Sequence, residues 1–319
     1  MSERLSTMND AATITRHHRR ISVVLSNQAA AKKEVSDNTF HGKVMTNHEK
    51  YAHILEELDQ MIGLESVKNL IYEIYALLRI TEYRKEAGLQ CNSHVYHMIF
   101  KGNPGTGKTT VARIVAKLFQ AMGVLEKGHL IEVERADLVG EYIGHTALKT
   151  RELVKKAMGG VLFIDEAYSL ARGGEKDFGK ECIDALVKAM EDHKDNFVVI
   201  LAGYSSEMEQ FLQTNPGLPS RFPIQVDFPD YSQDQLIRIA ELMAAEREYR
   251  LSPQALSELR SQIAQEKMRN ARAFSNARFV RNQIEKAIRH QAVRLLESRS
   301  IPGKQELMSL LPEDLRTQR

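Results

Sequence analysis

The stretch Gly102-Asn103-Pro104-Gly105-Thr106-Gly107-Lys108-Thr109 fits the pattern G-x-x-x-x-G-K-[ST] and constrains this chain more than any other feature. Such a loop needs a strand behind it and a helix ahead. Its glycines let the backbone curl until N–H groups and the helix N-terminus converge on phosphate oxygens. Here the β-prone run Val95–Phe100 precedes the loop and a helical stretch, Thr109–Met122, follows it. The pattern assigns Asn103, Pro104, Gly105, Thr106, Gly107, Lys108, Thr109 and Thr110 to the phosphates of ATP. Lys108 then reaches the β- and γ-phosphates and the Thr109 hydroxyl binds magnesium. A glycine-rich surface turn is the competing reading, and the flanking strand and helix weigh against it.

The rest of the pattern agrees with a strand–loop–helix setting. Further β-prone runs occur at His129–Val133, Val161–Ile164, Phe197–Ala202 and Ile224–Phe228, separated by helical stretches Thr146–Met158 and Lys180–Asp192. Strand–helix alternation of this kind predicts parallel strands with helices on both faces. Val198-Val199-Ile200-Leu201 is apolar at every position, as a strand covered on both sides should be. After Pro229 the β runs stop, and three helical segments are expected near 232–248, 252–267 and 276–298. Ser232 and Ser252 are placed to cap the first two, and Val280, Ile284, Ala287, Ile288 and Leu295 form one stripe of the third. Two helices are expected before the loop, the first with Ile54, Leu55, Leu58, Met61 and Ile62 inward, the second from Ser66 to Lys85 with Leu70, Ile71, Ile74, Leu77 and Leu78 inward. The expected organisation is an N-terminal arm over 1–50, an α/β domain over 51–228 and an all-helical domain over 229–319.

A second chemical signal lies at Val161-Leu162-Phe163-Ile164-Asp165-Glu166, where a buried strand delivers two carboxylates to its C-terminal edge. Ligands of open α/β sheets bind at that edge. Asp165 is expected to hold magnesium and Glu166 to polarise an attacking water as general base.

Composition narrows the partners. The 319 residues carry 44 basic and 42 acidic side chains, a net charge of +2, so no global field draws the chain to nucleic acid or an anionic membrane. Eight basic and five acidic residues fall in the first 50, where Arg16–Arg20 reads as a solvated basic patch. Cys91 and Cys182 make neither a disulfide framework nor a metal site. No apolar stretch of membrane-spanning or signal-peptide character occurs, so a cytoplasmic protein is expected.

Three segments narrow the reading further: Gly102–Thr109, the run Glu134–Thr146, and Phe163-Ile164-Asp165-Glu166-Ala167-Tyr168-Ser169-Leu170. Together with Gly173–Lys180 and Asn276-Ala277-Arg278-Phe279-Val280-Arg281-Asn282 they resemble the CbxX/CfqX family of AAA+ ATPases, from about Met61 to Leu296. That family includes red-type Rubisco activases and sporulation proteins, and the similarity is closest to the sporulation members. The resemblance implies an AAA+ core with a parallel five-stranded sheet, a helical lid, ATP and magnesium. It also implies a homo-oligomeric ring, by analogy a hexamer, that hydrolyses ATP to ADP and remodels a protein partner.

The resemblance also implies roles for further residues. Arg221, near the end of the loop Asn215–Phe222, matches the arginine finger that enters a neighbouring subunit's site. Arg278 matches the lid arginine called sensor 2, with Arg281 as the alternative. Tyr142, Ile143 and Gly144 resemble the first pore loop, against the plain alternative of a tyrosine buried in its own domain. The loop Arg172–Gly179 is a weaker second pore-loop candidate, and Met61-Ile62-Gly63-Leu64 resembles the segment that packs on adenine, with Ile62 and Gly63 as its contacts. The fourth β run ends Leu201-Ala202-Gly203-Tyr204-Ser205, without the usual polar sensor asparagine, leaving Tyr204 or Ser205 as substitutes. Two rival readings share the same core: a P-loop kinase of a small molecule, and a DNA-associated remodelling factor.

Overall fold

A computed structural model describes residues 51–316 apart from 92–93, 143, 173–177, 195, 216, 272 and 299–300. The arm expected over 1–50 lies outside the described residues. A helix occupies 51–60 (α1) and buries Tyr51, Ile54 and Leu58, a three- and four-residue rhythm. It is followed by α2 (Glu65–Glu86), β1 (Met98–Gly102), α3 (Lys108–Ala121), β2 (Leu130–Val133), α4 (Arg135–Leu138) and α5 (His145–Ala157). Next come β3 (Val161–Ile164), a 3-10 turn over Ala167–Ala171, α6 (Gly179–Asp192), β4 (Val198–Gly203), α7 (Ser205–Gln213), α8 (Leu218–Arg221) and β5 (Ile224–Phe228).

All five strands are parallel in the order β2-β3-β4-β1-β5. Successive side chains of a strand face opposite sides, and here both sides are apolar. Met98, Phe100, Phe163, Ile200 and Ala202 pack toward α1, α2 and α3, while Ile99, Leu162, Ile164, Val199 and Leu201 pack toward α5, α6 and α7. Full burial of each such Ile, Leu, Val or Phe contributes about 1.5–3 kcal/mol, which holds the carboxyl ends of β1, β3 and β4 in a fixed row.

Strand β1 starts and ends later than its apolar run suggests. His97 is buried ahead of it and accepts the Val199 N–H at Nδ1 (3.1 Å), standing in for a backbone partner. Burial lowers the His97 pKa to about 4, so the ring stays neutral and able to accept. At the other end the ladder continues through Lys101↔Asp227 and Gly102↔Phe228, although neither Lys nor Gly announces a strand. Helix α2 buries Val67, Ile71 and Ile74 together with Lys68 and Arg79, whereas Leu77, expected inward, is 41% exposed. Met61 and Ile62 lie beyond the end of α1 rather than on its stripe.

After β5 come α9 (Gln233–Ala245), β6 (Arg250–Leu251), α10 (Pro253–Arg269), α11 (Asn276–Glu297), α12 (Lys304–Met308), β7 (Ser309–Leu310) and α13 (Pro312–Leu315). Ser232 caps α9 in a capping box with Gln235: Ser232 Oγ accepts Gln235 N–H (3.2 Å) and Gln235 Oε1 accepts Ser232 N–H (2.8 Å). Ser252 Oγ accepts the Ala255 N–H at 3.1 Å, with Pro253 at the first helical position. Val280, Ile284 and Ala287 bury against Leu236, Ala240, Leu259 and Ile263.

This region is not all-helical, as the sequence suggests it to be. Arg250–Leu251 and Ser309–Leu310 form a parallel two-stranded pair. Two residues are too few to show an alternating pattern, and their pairing depends on a segment almost sixty positions away. The returning segment is held by Gln291 Nε2, which donates to Leu307 O (2.9 Å) and Ser309 O (3.1 Å), and by the paired bonds of Arg294 to Asp314 (2.9 and 3.0 Å).

Candidate nucleotide site

The loop Gly102–Thr109 runs from the carboxyl end of β1 into α3, with Gly107 as N-cap and Lys108 as first helical residue. Thr106 is fully buried and its hydroxyl donates to Asn103 O (2.8 Å), which closes the loop on itself. Gly105 has φ +69°, and a Cβ there would lie 2.4 Å from Ser275 O and 2.7 Å from Arg278 N. Only glycine allows the loop to approach α11 so closely. Lys108 Nζ donates to Gly102 O (2.8 Å) and Asn103 O (2.9 Å). Burial lowers its pKa to about 8, with the Asp165 carboxylate opposing that shift and Arg278 adding to it.

Asp165 and Glu166 emerge where β3 ends, and Asp165 N–H still pairs with Val133 O at 3.0 Å. Glu166 sits in the left-handed region at φ 49°, with its N–H donating to Asp165 Oδ1 (3.0 Å). A non-glycine residue there carries strain of order 1–3 kcal/mol, a cost found at sites that aim a side chain. Glu166 remains exposed to the cleft. Burial, and after it the Glu166 charge, raises the Tyr168 phenol well above its ordinary value.

One cleft of about 480 Å³ gathers most of the expected site: Ile62, Pro104, Gly105, Gly107, Lys108, Thr109, Thr110, Asp165, Glu166, Arg278 and Arg281 all line it. Asn103 and Thr106 hold the loop from behind. Gly63 stands against the side chain of Gln235, whose Nε2 is 2.5 Å from where a Cβ would be. Gly203 and Tyr204 also line the cleft, and Tyr204 borders as well the neighbouring hollow that Ser205 lines with Asn103 and Asp230. Burial and Glu166 together raise the Tyr204 pKa.

Thr109 Oγ1 and the Asp165 carboxylate, a hydroxyl and a hard anion on one wall, form a donor set suited to magnesium. Among the described residues no group of three or more His, Cys, Asp or Glu forms a metal site of protein ligands alone. The fit is therefore to a metal that keeps water and phosphate ligands.

Several lining residues escaped the sequence reading. Ile239, Leu242 and Met243 of α9 and Tyr231 complete an apolar wall with Met61 and Ile62. The spacing of 239, 242 and 243 marks a second stripe on α9, and Leu242 is 49% exposed, the one available hint. Lys68 is buried and its ammonium donates to Asp59 O (3.0 Å) and Met61 O (2.6 Å), fastening the segment that carries Ile62. Glu132 accepts from Arg113 (3.1 Å) and from Thr109 Oγ1 (3.4 Å).

Other expected residues lie elsewhere. Arg221 ends α8, donates to Gly217 O (2.9 Å) and pairs with Glu191 at the end of α6. It does not line the cleft of its own chain. Tyr142 is 65% exposed with its ring edge-on to His145, so the buried alternative does not hold. Gly144, at φ +81°, caps α5 in open space, and Ile143 lies outside the described residues. Of the loop Arg172–Gly179, residues 173–177 are outside the described set; Gly179 is the first residue of α6, pressed against Leu170 O. A larger cavity, about 1250 Å³, opens near Lys127, Gly159 and Asn196, at the amino ends of the strands and away from this chemistry.

Comparison with known proteins decides the family. The model of the "ATPase family associated with various cellular activities (AAA)" matches residues 98–230, and that of the AAA lid domain matches 232–319. Stage V sporulation protein K of Bacillus subtilis (strain 168) is 52% identical over 313 residues, 97% of each chain. Protein CbbX of Cereibacter sphaeroides is 48% identical, covering 83% of this chain and 86% of the relative. The chain belongs to the CbxX/CfqX family of AAA+ ATPases. A chloroplastic ribulose bisphosphate carboxylase/oxygenase activase of Cyanidioschyzon merolae (strain NIES-3377 / 10D), 43% identical over 88% of this chain and 97% of its own, is another such relative. Among solved structures the FIGL-1 AAA domain superposes with a TM-score of 0.55 at 17% identity, covering 81% of this chain and 80% of that one, which speaks for the fold alone. In this CbxX/CfqX protein the parallel sheet is thus the AAA P-loop domain, and the helices after it the lid.

Proposed function

We propose that this protein hydrolyses ATP at the subunit interfaces of a ring and uses the cycle to remodel or thread a protein partner. The observation that carries this reading is the division of the machinery. Lys108, Thr109, Asp165, Glu166 and Arg278 share one cleft, while Arg221 is not part of its lining and pairs with Glu191. A cation so placed serves a site on another copy.

In this reading Ile62, Ile239 and Met243 hold the purine, the loop amides and Lys108 hold the phosphates, and Arg278 approaches them from the lid. Thr109 and Asp165 would hold magnesium, which would supply positive charge against the phosphates. Glu166 takes the proton of the attacking water, and Tyr204 substitutes for the missing sensor asparagine. Arg221 of a neighbour stabilises charge on the departing phosphoryl group. Tyr142, exposed on the loop before α5, contacts the polypeptide substrate. The boundary near 229 separates the two domains that move in the cycle, and the arm over 1–50 is a third part. The 52% identity with a sporulation protein supports a sporulation role for this chain in the cytoplasm. The Rubisco activase relatives support protein remodelling in general.

Light scattering on the full chain, with and without magnesium and a non-hydrolysable ATP analogue, tests the ring. A shift from small species to a particle of about six subunits is expected. A monomer under both conditions would leave Arg221 without a site and bring the small-molecule kinase reading forward.

The Lys108 ammonium sets the pH behaviour. Its pKa in the free protein is about 8, and phosphate raises it on binding, so ATP binding takes up a proton above pH 8. Nucleotide affinity should be flat below about pH 7 and weaken by up to about tenfold per unit above pH 8. Titration with a fluorescent ADP analogue from pH 6.5 to 9.5 checks this, and a flat profile would show that Lys108 stays charged throughout.

A further inference from the structure

A polar cluster joins the phosphate-binding loop to the lid outside the lining of the nucleotide cleft. Asp230, just beyond β5, accepts from Asn103 Nδ2 at both carboxylate oxygens (3.0 and 3.1 Å). The same carboxylate accepts from Asn276 Nδ2 (2.7 Å), and that amide also donates to Phe274 O (2.9 Å). Its Oδ1 accepts the Tyr231 N–H (3.0 Å), which fixes which way the amide is turned. Asn276 is fully buried and holds φ 45°. An asparagine tolerates that backbone better than most residues, and here both polar atoms of its side chain are in use. Around the cluster, Tyr231 Oη donates to Thr106 O (3.1 Å) and Ala277 N–H to Gly105 O (3.2 Å).

The cluster spans the two parts that must respond to one ligand. Asn103 belongs to the loop, Asp230 and Tyr231 to the junction before α9, and Asn276 to the start of α11, two residues before Arg278. The two backbone carbonyls that Lys108 now bonds are those of Gly102 and Asn103. Phosphate oxygens compete for the same ammonium protons, so nucleotide binding alters the hold on residue 103. Its side chain passes that change to Asp230.

We infer that Asp230, bridging Asn103 and Asn276, is a positioning residue that couples the phosphate loop to the lid helix carrying Arg278. This rests on the reading of the cleft as an ATP site. Asp230 itself acts through its neighbours. Its side chain is exposed, so it can be changed without opening a cavity in the core.

Amide hydrogen exchange on the full chain, with and without ADP and magnesium, tests the coupling. In the unaltered protein ADP should slow exchange both over 102–109 and over 276–284. In Asp230→Ala the first segment should stay protected, while the ADP-induced slowing of the second falls at least threefold. Asp230→Asn, which keeps the shape and one acceptor, should fall between the two, and it decides the matter if the alanine variant folds poorly. Turnover gives a second readout. Asp230→Ala should lower kcat about tenfold with the KM for ATP within threefold, and should cost nothing further in an Arg278→Ala background. Wild-type protection of both segments in the variants, or multiplicative losses with Arg278→Ala, would overturn the coupling alone. If ADP protects neither segment of the unaltered protein, the nucleotide-site reading falls and takes the coupling with it.

Discussion

Glu166→Gln should lower ATP turnover by about 10²–10⁴-fold while nucleotide affinity stays within a few-fold of the unaltered protein. The amide has the volume and hydrogen-bonding reach of the carboxylate but cannot take a proton from water. The left-handed backbone at 166 is unaffected, since Gln and Glu place the same Cβ there. The expected phenotype is therefore loss of kcat with binding intact, measured by phosphate release and by retention of a fluorescent nucleotide. The variant should also accumulate in whatever assembly ATP favours. Turnover within tenfold of the unaltered protein would move the general-base role away from Glu166, with Tyr204 on the same wall the next residue to test.

Arg221→Ala should reduce turnover by about 10³–10⁵-fold, the range expected when an arginine finger is removed. ATP binding by the chain that carries the change should persist, because Arg221 does not line that chain's own cleft. Its present bonds, to Gly217 O and to Glu191, hold it partly buried at the end of α6. An ion pair of this kind is worth only about 0–1 kcal/mol, so a neighbour's phosphates can compete for the guanidinium. The decisive experiment mixes Arg221→Ala with Lys108→Ala chains. Each variant is inactive by itself, but a mixed ring contains interfaces where an intact cleft meets an intact Arg221. Activity should return on mixing, in proportion to such interfaces. No recovery in a demonstrated mixed oligomer would sink the shared site.

Much of this molecule is legible in its sequence. The motif Gly102–Thr109 needs a strand, a tight loop and a helix in that order, and β1 and α3 supply them within a few residues of the expected bounds. Val161–Ile164 and Val198–Leu201 are apolar throughout, and both strands are buried on both faces. Ser232 and Ser252 read as caps because a hydroxyl before a helical stripe has a local partner to satisfy, and both make that bond. These are local signals, set by neighbours in the chain or by a period of two or of three and four.

What only the tertiary structure decided depends on residues far apart in sequence. The pairing of Arg250–Leu251 with Ser309–Leu310 leaves no periodic trace in four residues. The apolar wall of Ile239, Leu242 and Met243 reads as an ordinary helix stripe until Met61 and Ile62 are seen to share the cleft with it. Lys68 looks like a solvated lysine, yet its ammonium fits the carbonyls that end α1. Asn103, Asp230 and Asn276 are three common polar residues spread over more than 170 positions, and only the approach of the lid to the phosphate loop makes them one cluster. Sequence alone picked out the candidate residues of the site, because they are carried by short motifs. Folding decided which distant side chains stand around it, because burial and hydrogen bonding act on distances in space and leave no mark on spacing along the chain.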